Sequence, residues 1–262
     1  MNRNYSINLL VLFALAILTL AGGCDESTAE PSDLSYDYSH FPLELDRPLI
    51  YRVDSIVLVP TVGGIRYDTT TSQLRETLVE TFVGADGQEV YRGERWTRPT
   101  EDDEWEPAGS FTQWRTRSAA FREDDNLVFN SLIFPIDVGT SWDAHAAFDE
   151  QRFFTVGGEF VQVYRGWRSR YLGVRETAIL PTGVSFDEVL LVEMANDTNL
   201  IDLRAATATY APGFGLVART IDARSTQCQV CCGGDTAPCA DLPWDDKAEK
   251  GFLLRQYFIR RD

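Results

Sequence analysis

From Leu49 onward, short runs rich in β-branched and aromatic residues are separated by polar turns, and no window carries a persuasive 3.6-residue stripe. Residues 49–59 (LIYRVDSIVLV) form the first such run. Residues 72–83 (SQLRETLVETFV) follow; their LRETLVETF core is the one ambiguous stretch, and it reads as strand. Asp86-Gly87 then marks a tight hairpin turn into a strand over 89–98. Further strands are expected over 111–122, 127–134, 185–195, 200–211, 214–224 and 251–261, with turns at 123–126, 196–199 and 211–213. Residues 160–180 are long enough for one bent strand, with Gly166 and Gly173 as bend or bulge positions. Strand after strand with short turns predicts an all-β fold: an antiparallel meander, a half-barrel or a sandwich.

The first residues follow a different pattern. Arg3 precedes an apolar run, Leu9–Leu20, and the small residues Ala21-Gly22-Gly23 lead to Cys24. A charged start, an apolar stretch and a small-residue exit make a secretory signal. Twelve helical residues rise only about 18 Å, too short for a bilayer core of about 30 Å. Residues 1–23 are therefore expected to be a signal peptide and 24–40 a polar, acidic, flexible tether. Residues 41–262 are expected to be one β-rich domain. Phe41-Pro42-Leu43-Glu44-Leu45-Asp46 is echoed by Phe134-Pro135-Ile136-Asp137-Val138-Gly139, which suggests two similar halves, 41–133 and 134–262.

Charge narrows the function. The chain has 24 Lys+Arg against 40 Asp+Glu, and every acid follows Cys24; removing Arg3 takes the formal charge from −16 to −17. Such a surface does not coat nucleic acid or adhere to anionic lipid. Two histidines, His40 and His145, cannot build a His-rich metal centre, and two lysines, Lys247 and Lys250, offer little for amine nucleophilic catalysis. A hydrophobic content of 44% argues for a packed body.

Four cysteines, Cys228, Cys231, Cys232 and Cys239, fall within twelve residues near the C-terminus. In an exported protein such a set reads as disulfides. Neighbouring cysteines rarely bridge each other, because the peptide bond between them would be strained. Cys231 and Cys232 are thus each expected to pair with Cys228 or Cys239, the order left open. A thiolate zinc site fits poorly with an adjacent pair, and no thioredoxin-like pattern surrounds Cys228-x-x-Cys231.

Other constellations are weaker. His145 lies near Ser141 and Asp143, but no Gly-x-Ser-x-Gly elbow exists, and the histidine reads as a surface or packing residue. The acidic stretches 101–106 and 123–126 lack calcium-loop spacing and read as solvated turns. The six tryptophans read as core or cross-strand residues rather than a sugar platform. Arg115, Arg117, Arg165, Arg168, Arg170 and Arg175 read as surface ion-pair ladders. No catalytic residue, metal ligand or cofactor motif is singled out.

Leu20-Ala21-Gly22-Gly23-Cys24 resembles a bacterial lipobox, which implies acylation of Cys24 and anchoring by several acyl chains. Asp25-Glu26 resemble a surface-export signal in one group of Gram-negative bacteria and an inner-membrane retention signal in another. Together with Tyr51-Arg52-Val53-Asp54-Ser55-Ile56, Phe134-Pro135, Gly139, Trp142, Tyr210–Val217, Pro243-Trp244 and Lys250-Gly251-Phe252, the chain resembles Gram-negative envelope lipoproteins with a β-rich mature domain. No activity comes with that resemblance. The stretch Tyr210–Val217 is also similar to one in lipoprotein-carrier-like half-barrels, which implies a curved sheet cupping an apolar ligand.

These readings converge on a non-catalytic, acyl-anchored binding or structural module of the cell envelope. The expected membrane is the outer one, with the inner as the alternative, and the expected partner is the membrane through the lipid anchor. A carrier of an apolar ligand is the second reading and a glycan-acting enzyme the third. A cavity of several hundred Å³ favours the carrier. Paired carboxylates roughly 5–9.5 Å apart in a cleft would favour the enzyme.

Overall fold

The computed structural model describes residues 37–261. A turn of 3-10 helix, Tyr38–His40, leads into the strands. The first six are β1 (Leu49–Thr61), β2 (Gly64–Val83), β3 (Glu89–Arg98), β4 (Glu106–Arg115), β5 (Ala119–Asp124) and β6 (Leu127–Ile133). Then come β7 (Ser141–Trp142), β8 (Phe154–Val156), β9 (Glu159–Val161), β10 (Ser169–Arg175), β11 (Ala178–Ile179) and β12 (Ser185–Phe186). The last are β13 (Val189–Thr198), β14 (Asp202–Ala211), β15 (Gly215–Ser225) and β16 (Lys250–Arg261). Three short helices, α1 (Gln229–Cys232), α2 (Thr236–Ala240) and α3 (Trp244–Lys247), fill the insert between β15 and β16.

Twelve strands form one antiparallel sheet in the order β6-β5-β4-β3-β2-β1-β16-β15-β14-β13-β10-β7. Residues 41–133 supply six of these strands and residues 134–262 the other six. The sheet curls into a nearly closed barrel. Its outer strands, β6 and β7, are neighbours in sequence and meet without a ladder. At this seam the Asn130 N–H donates to Ala144 O at 3.0 Å, and the Trp142 indole donates to Asn130 O at 2.8 Å. The Tyr171 hydroxyl accepts from the Ile133 N–H at 2.9 Å and donates to Ile133 O at 2.6 Å. The open choice among meander, half-barrel and sandwich thus resolves into a barrel.

Most strands fall near where the sequence places them, although β2 starts earlier, at Gly64, and β13 runs through the expected turn to Thr198; three further segments differ. The expected strand over 111–122 is two strands. Thr116 Oγ1 accepts the N–H groups of Ser118 and Ala119, and this local turn displaces the ladder. The expected bent strand over 160–180 is instead β9, a turn that folds Trp167 inward, β10 and β11. Gly166 sits in that turn, and Gly173 lies at a register shift between β10 and β13. Residues 37–40, assigned to the tether, belong to the body: His40 is fully buried and Tyr38 packs edge-on against Phe134. The signal peptide, Cys24 and the rest of the tether lie outside the described residues. Among the described residues no helix is long and apolar enough to cross a membrane.

Three apolar clusters fill the space around the sheet. The first joins the seam: Ala120, Leu132, Phe134, Trp142 and Tyr171 meet Leu190, Val192 and Ala208. In the second, Leu180 and Phe186 pack on Tyr51, Val217 and Phe258. In the third, Phe154 and Val161 of the β8–β9 hairpin pack with Ile221, Ala223, Phe252 and Leu254.

Candidate binding cavity

Between these clusters the barrel encloses a cavity of about 590 Å³. Its lining comes from the inward register of both halves, together with the segment that carries Phe41, Pro42, Glu44 and Arg47. A second hollow, of about 830 Å³, is lined by the alternate, outward register, including Thr220, Asp222, Leu253 and Arg255. None of the buried, unpartnered polar side-chain atoms found among the described residues lies in that outer hollow. Four of them line the inner cavity: Asn130 Oδ1, Trp167 Nε1, Arg219 Nε and Arg261 Nε.

One wall of the cavity is charged. Register pairs Glu76 with Arg95, Gln113 with Arg122 and Phe111 with Asp124, so four ionic side chains converge from β2, β3 and β5. Arg122 grips Glu76 with two nitrogens, at 2.6 and 3.0 Å, and Asp124 with its Nε at 2.7 Å. Arg95 donates to Glu76 at 2.9 Å and also to Asp124. Both guanidiniums stack on Phe111, with Arg122 at 4.0 Å and Arg95 at 5.4 Å from the ring centre. That ring lies flat on Gly93, where a Cβ would come within 2.2 Å of it. Burial would raise the Glu76 carboxyl, yet the charges and hydrogen bonds of Arg122 and Arg95 outweigh it and hold the group at about 2. Burial likewise opposes the charge on Arg122, and Glu76 and Asp124 overcome it, so its pKa is raised.

The facing wall is apolar. Ala208, Ile221, Phe252 and Leu254 line it, with Met194 and Leu216. Arg219 is the charged residue in its midst. Its Nη2 donates to Gln256 Oε1 at 2.9 Å, and no carboxylate of the described residues forms an ion pair with it. The phenols of Tyr51, Tyr164 and Tyr210 feel its charge. Burial raises all three, Tyr164 and Tyr210 to about 12, so they stay neutral and do not offset the cation.

Of the residues singled out by the sequence, some line this cavity in unexpected roles and others lie outside it. His145 is buried in an aromatic cage of Phe129, Phe148, Tyr164 and Trp167, with ring centroids 5.1–5.5 Å away. Burial pushes its pKa down to about 4. Its packing reading stands and its surface reading does not. Asp124, read as part of a solvated turn, is instead an inner ligand of two arginines, whereas Asp125 and Asn126 make the exposed turn with φ of 50° and 61°. Cys228 and Cys239 are bridged. Cys231 and Cys232 are free thiols with sulfurs 2.7 Å apart, not partners of the outer pair as expected. The helical turn of α1 places them side by side after Cys228, and their mutual hydrogen bond pushes Cys232 up to about 11. Cys239 also lies near these thiols, but its sulfur is spent in the bridge.

Glu76, Arg95, Arg122 and Arg219 escaped the sequence reading. A signal was present: Leu74-x-Glu76-x-Leu78 and Val217-x-Arg219-x-Ile221 each place a charge inside an apolar alternation.

No protein-family model matches the chain, and no curated protein matches it. Two solved structures are similar to the chain at low identity. One is a candidate lipoprotein from Parabacteroides distasonis, 8% identical, covering 85% of this chain and 98% of its own, with a TM-score of 0.37. The other is a candidate exported protein with a YmcC-like fold from Bacteroides fragilis, 10% identical, with the same coverage and a TM-score of 0.35.

Proposed function

We propose that this chain is a non-catalytic binding protein of the cell envelope, tethered through an acylated Cys24, whose barrel holds an apolar or amphipathic ligand. The observation that carries the reading is the inner cavity. Its volume of about 590 Å³ falls within the roughly 300–1,000 Å³ typical of small-molecule sites, and one wall is apolar. Exposed Ala108 and Asp125 and half-buried Pro42 are among its lining, which gives a ligand a route in. The anchor rests on the lipobox-like run before Cys24, and the envelope location on the same run.

Glycan hydrolysis is disfavoured by a specific observation. The carboxylates inside the cavity, Glu76 and Asp124, are each held by two arginines, and Glu76 at about 2 cannot serve as a proton donor near neutral pH.

The test is mass spectrometry of the full chain extracted from its native membranes. Intact-mass and peptide analysis should find acyl chains on Cys24, and denaturing extraction should release a stoichiometric small apolar molecule. An unacylated Cys24 sinks the anchor. A cavity that yields no such molecule and takes up none from added lipid sinks the binding role.

A further inference from the structure

The geometry points to Arg219 as the anchor for the oxyanion head of a single-chain amphiphile, with the tail along the apolar wall; this rests on the cavity being a ligand site. Charge inside the barrel is the first ground. Glu76 and Asp124 are matched by Arg95 and Arg122, and Glu44 pairs with Arg47 at the rim. Asp125 sits on the exposed β5–β6 turn. Arg261, which also lines the cavity, donates to Gly213 O and lies over the Phe214 ring. Among the described residues Arg219 has no acid partner, and Gln256, only 1% exposed, fixes its guanidinium by one nitrogen.

Unmet donors are the second ground. Arg219 Nε is buried without a partner, and so is the indole N–H of Trp167, a residue only 1% exposed. The two are linked through Tyr164, which feels the Arg219 charge and packs its ring 5.0 Å from Trp167. A buried donor left unmet is costly, and a buried cation more so. A carboxylate or phosphate monoester supplies the missing charge and acceptors together, and a planar guanidinium suits two oxygens at once. The surroundings of Arg219 suit a hydrocarbon tail: Ala208 pairs with it across β14, and Ile221 and Leu254 continue the same inner face. A cationic head is disfavoured, because both inner carboxylates are already held by arginines.

The test uses the full chain in a non-ionic detergent with diazirine-bearing hexadecanoic acid and the matching hexadecanol, and maps crosslinked peptides. The acid should label peptides of β14–β16 about 10- to 100-fold more efficiently than the alcohol, the worth of one charge-assisted hydrogen-bonded contact. Arg219→Gln should abolish that preference while the alcohol still labels the same peptides, which also reports an intact barrel. Arg219→Lys should restore part of it. Competition with hexadecanoate against hexadecyl phosphate tells a fatty acid from a phosphate-headed lipid; either competitor supports the oxyanion head. Equal labelling by acid and alcohol, or a preference that survives Arg219→Gln, overturns the role of Arg219 and leaves the cavity reading intact. Failure of both probes to label the inner face overturns the cavity reading itself.

Discussion

Two runs of strands in the barrel are lined differently. Strands β2–β5 and β13–β16 are both antiparallel runs with the same alternation of inward and outward side chains, although the three-helix insert, not a short turn, joins β15 to β16. Inside, the first run carries Glu76, Arg95, Gln113, Arg122 and Asp124 around Phe111. The second carries alanines, aliphatics and aromatics around Arg219. The ladder therefore sets where a side chain points, and the choice at each inward position sets the chemistry. The charged wall satisfies itself: every ion has an opposite ion within reach. The apolar wall does not: among the described residues Arg219, in its midst, has no acid to answer it.

The largest expected effect comes from breaking the charged wall unevenly. Arg122→Met leaves Glu76 and Asp124 with Arg95 alone and should cost about 3–5 kcal/mol in urea unfolding, as for other buried pairs broken on one side. Replacing all four ions, Glu76, Arg95, Arg122 and Asp124, with apolar residues of similar size should be near neutral or stabilising by about 1–4 kcal/mol. If the fourfold change costs as much as the single one, the wall needs its charges for shape, and the contrast with the apolar wall fails.

Acid sharpens the comparison next. Both Glu76 and His145 have pKa values depressed by folding, so each favours the folded state at high pH and loses that contribution as pH falls. His145 should lose it between about 6.5 and 4, because the unfolded imidazole takes a proton that the caged one refuses. Glu76 should follow between about 4.5 and 2, and its share is on the order of 3 kcal/mol. Urea midpoints measured from pH 8 to 3 should fall in two stages, and His145→Phe should flatten the upper one alone. A single stage unaffected by His145→Phe would assign the acid sensitivity to the charged wall only.

The smallest effect is expected at the seam where the walls meet. Tyr171→Phe removes both hydrogen bonds to Ile133 and should cost about 1–3 kcal/mol by thermal or urea unfolding. A loss as large as that of Arg122→Met would make the seam, not the charged wall, the weak line of the barrel.

Much of the fold was legible because strand composition and turn chemistry act locally. Residues 89–98 are strand throughout, as the Asp86-Gly87 turn before them suggested. Locality also explains the failures. Residues 160–180 have strand-like composition, but Trp167 leaves the sheet to join an aromatic cluster whose members come from three separate stretches of chain. The cavity was harder. Asp124 looked like a turn acid because Asp125 and Asn126 beside it are one; only register shows that it faces inward opposite Phe111. Arg219 is one arginine among many in sequence, and its isolation appears only once Arg95 and Arg122 across the cavity are seen to be paired with acids. The vicinal thiols were misjudged because the short helix that carries them leaves no trace in strand composition.

The strand order also carries a consequence for how the chain reaches this state. Much of each six-strand run can zip up from hairpins, because most neighbours in space are near neighbours along the chain; β7–β10 and β15–β16 close longer excursions. The ladder between β1 and β16 is different: it matches Leu49 with Arg261, the first residue of the first strand with the last residue of the last. Contacts of such long range form slowly, since the intervening loop must be closed before they give anything back. Two half-shells can therefore assemble early and wait on one distant pairing to become a container. Until it forms, β1 offers an unpaired edge to any other chain nearby.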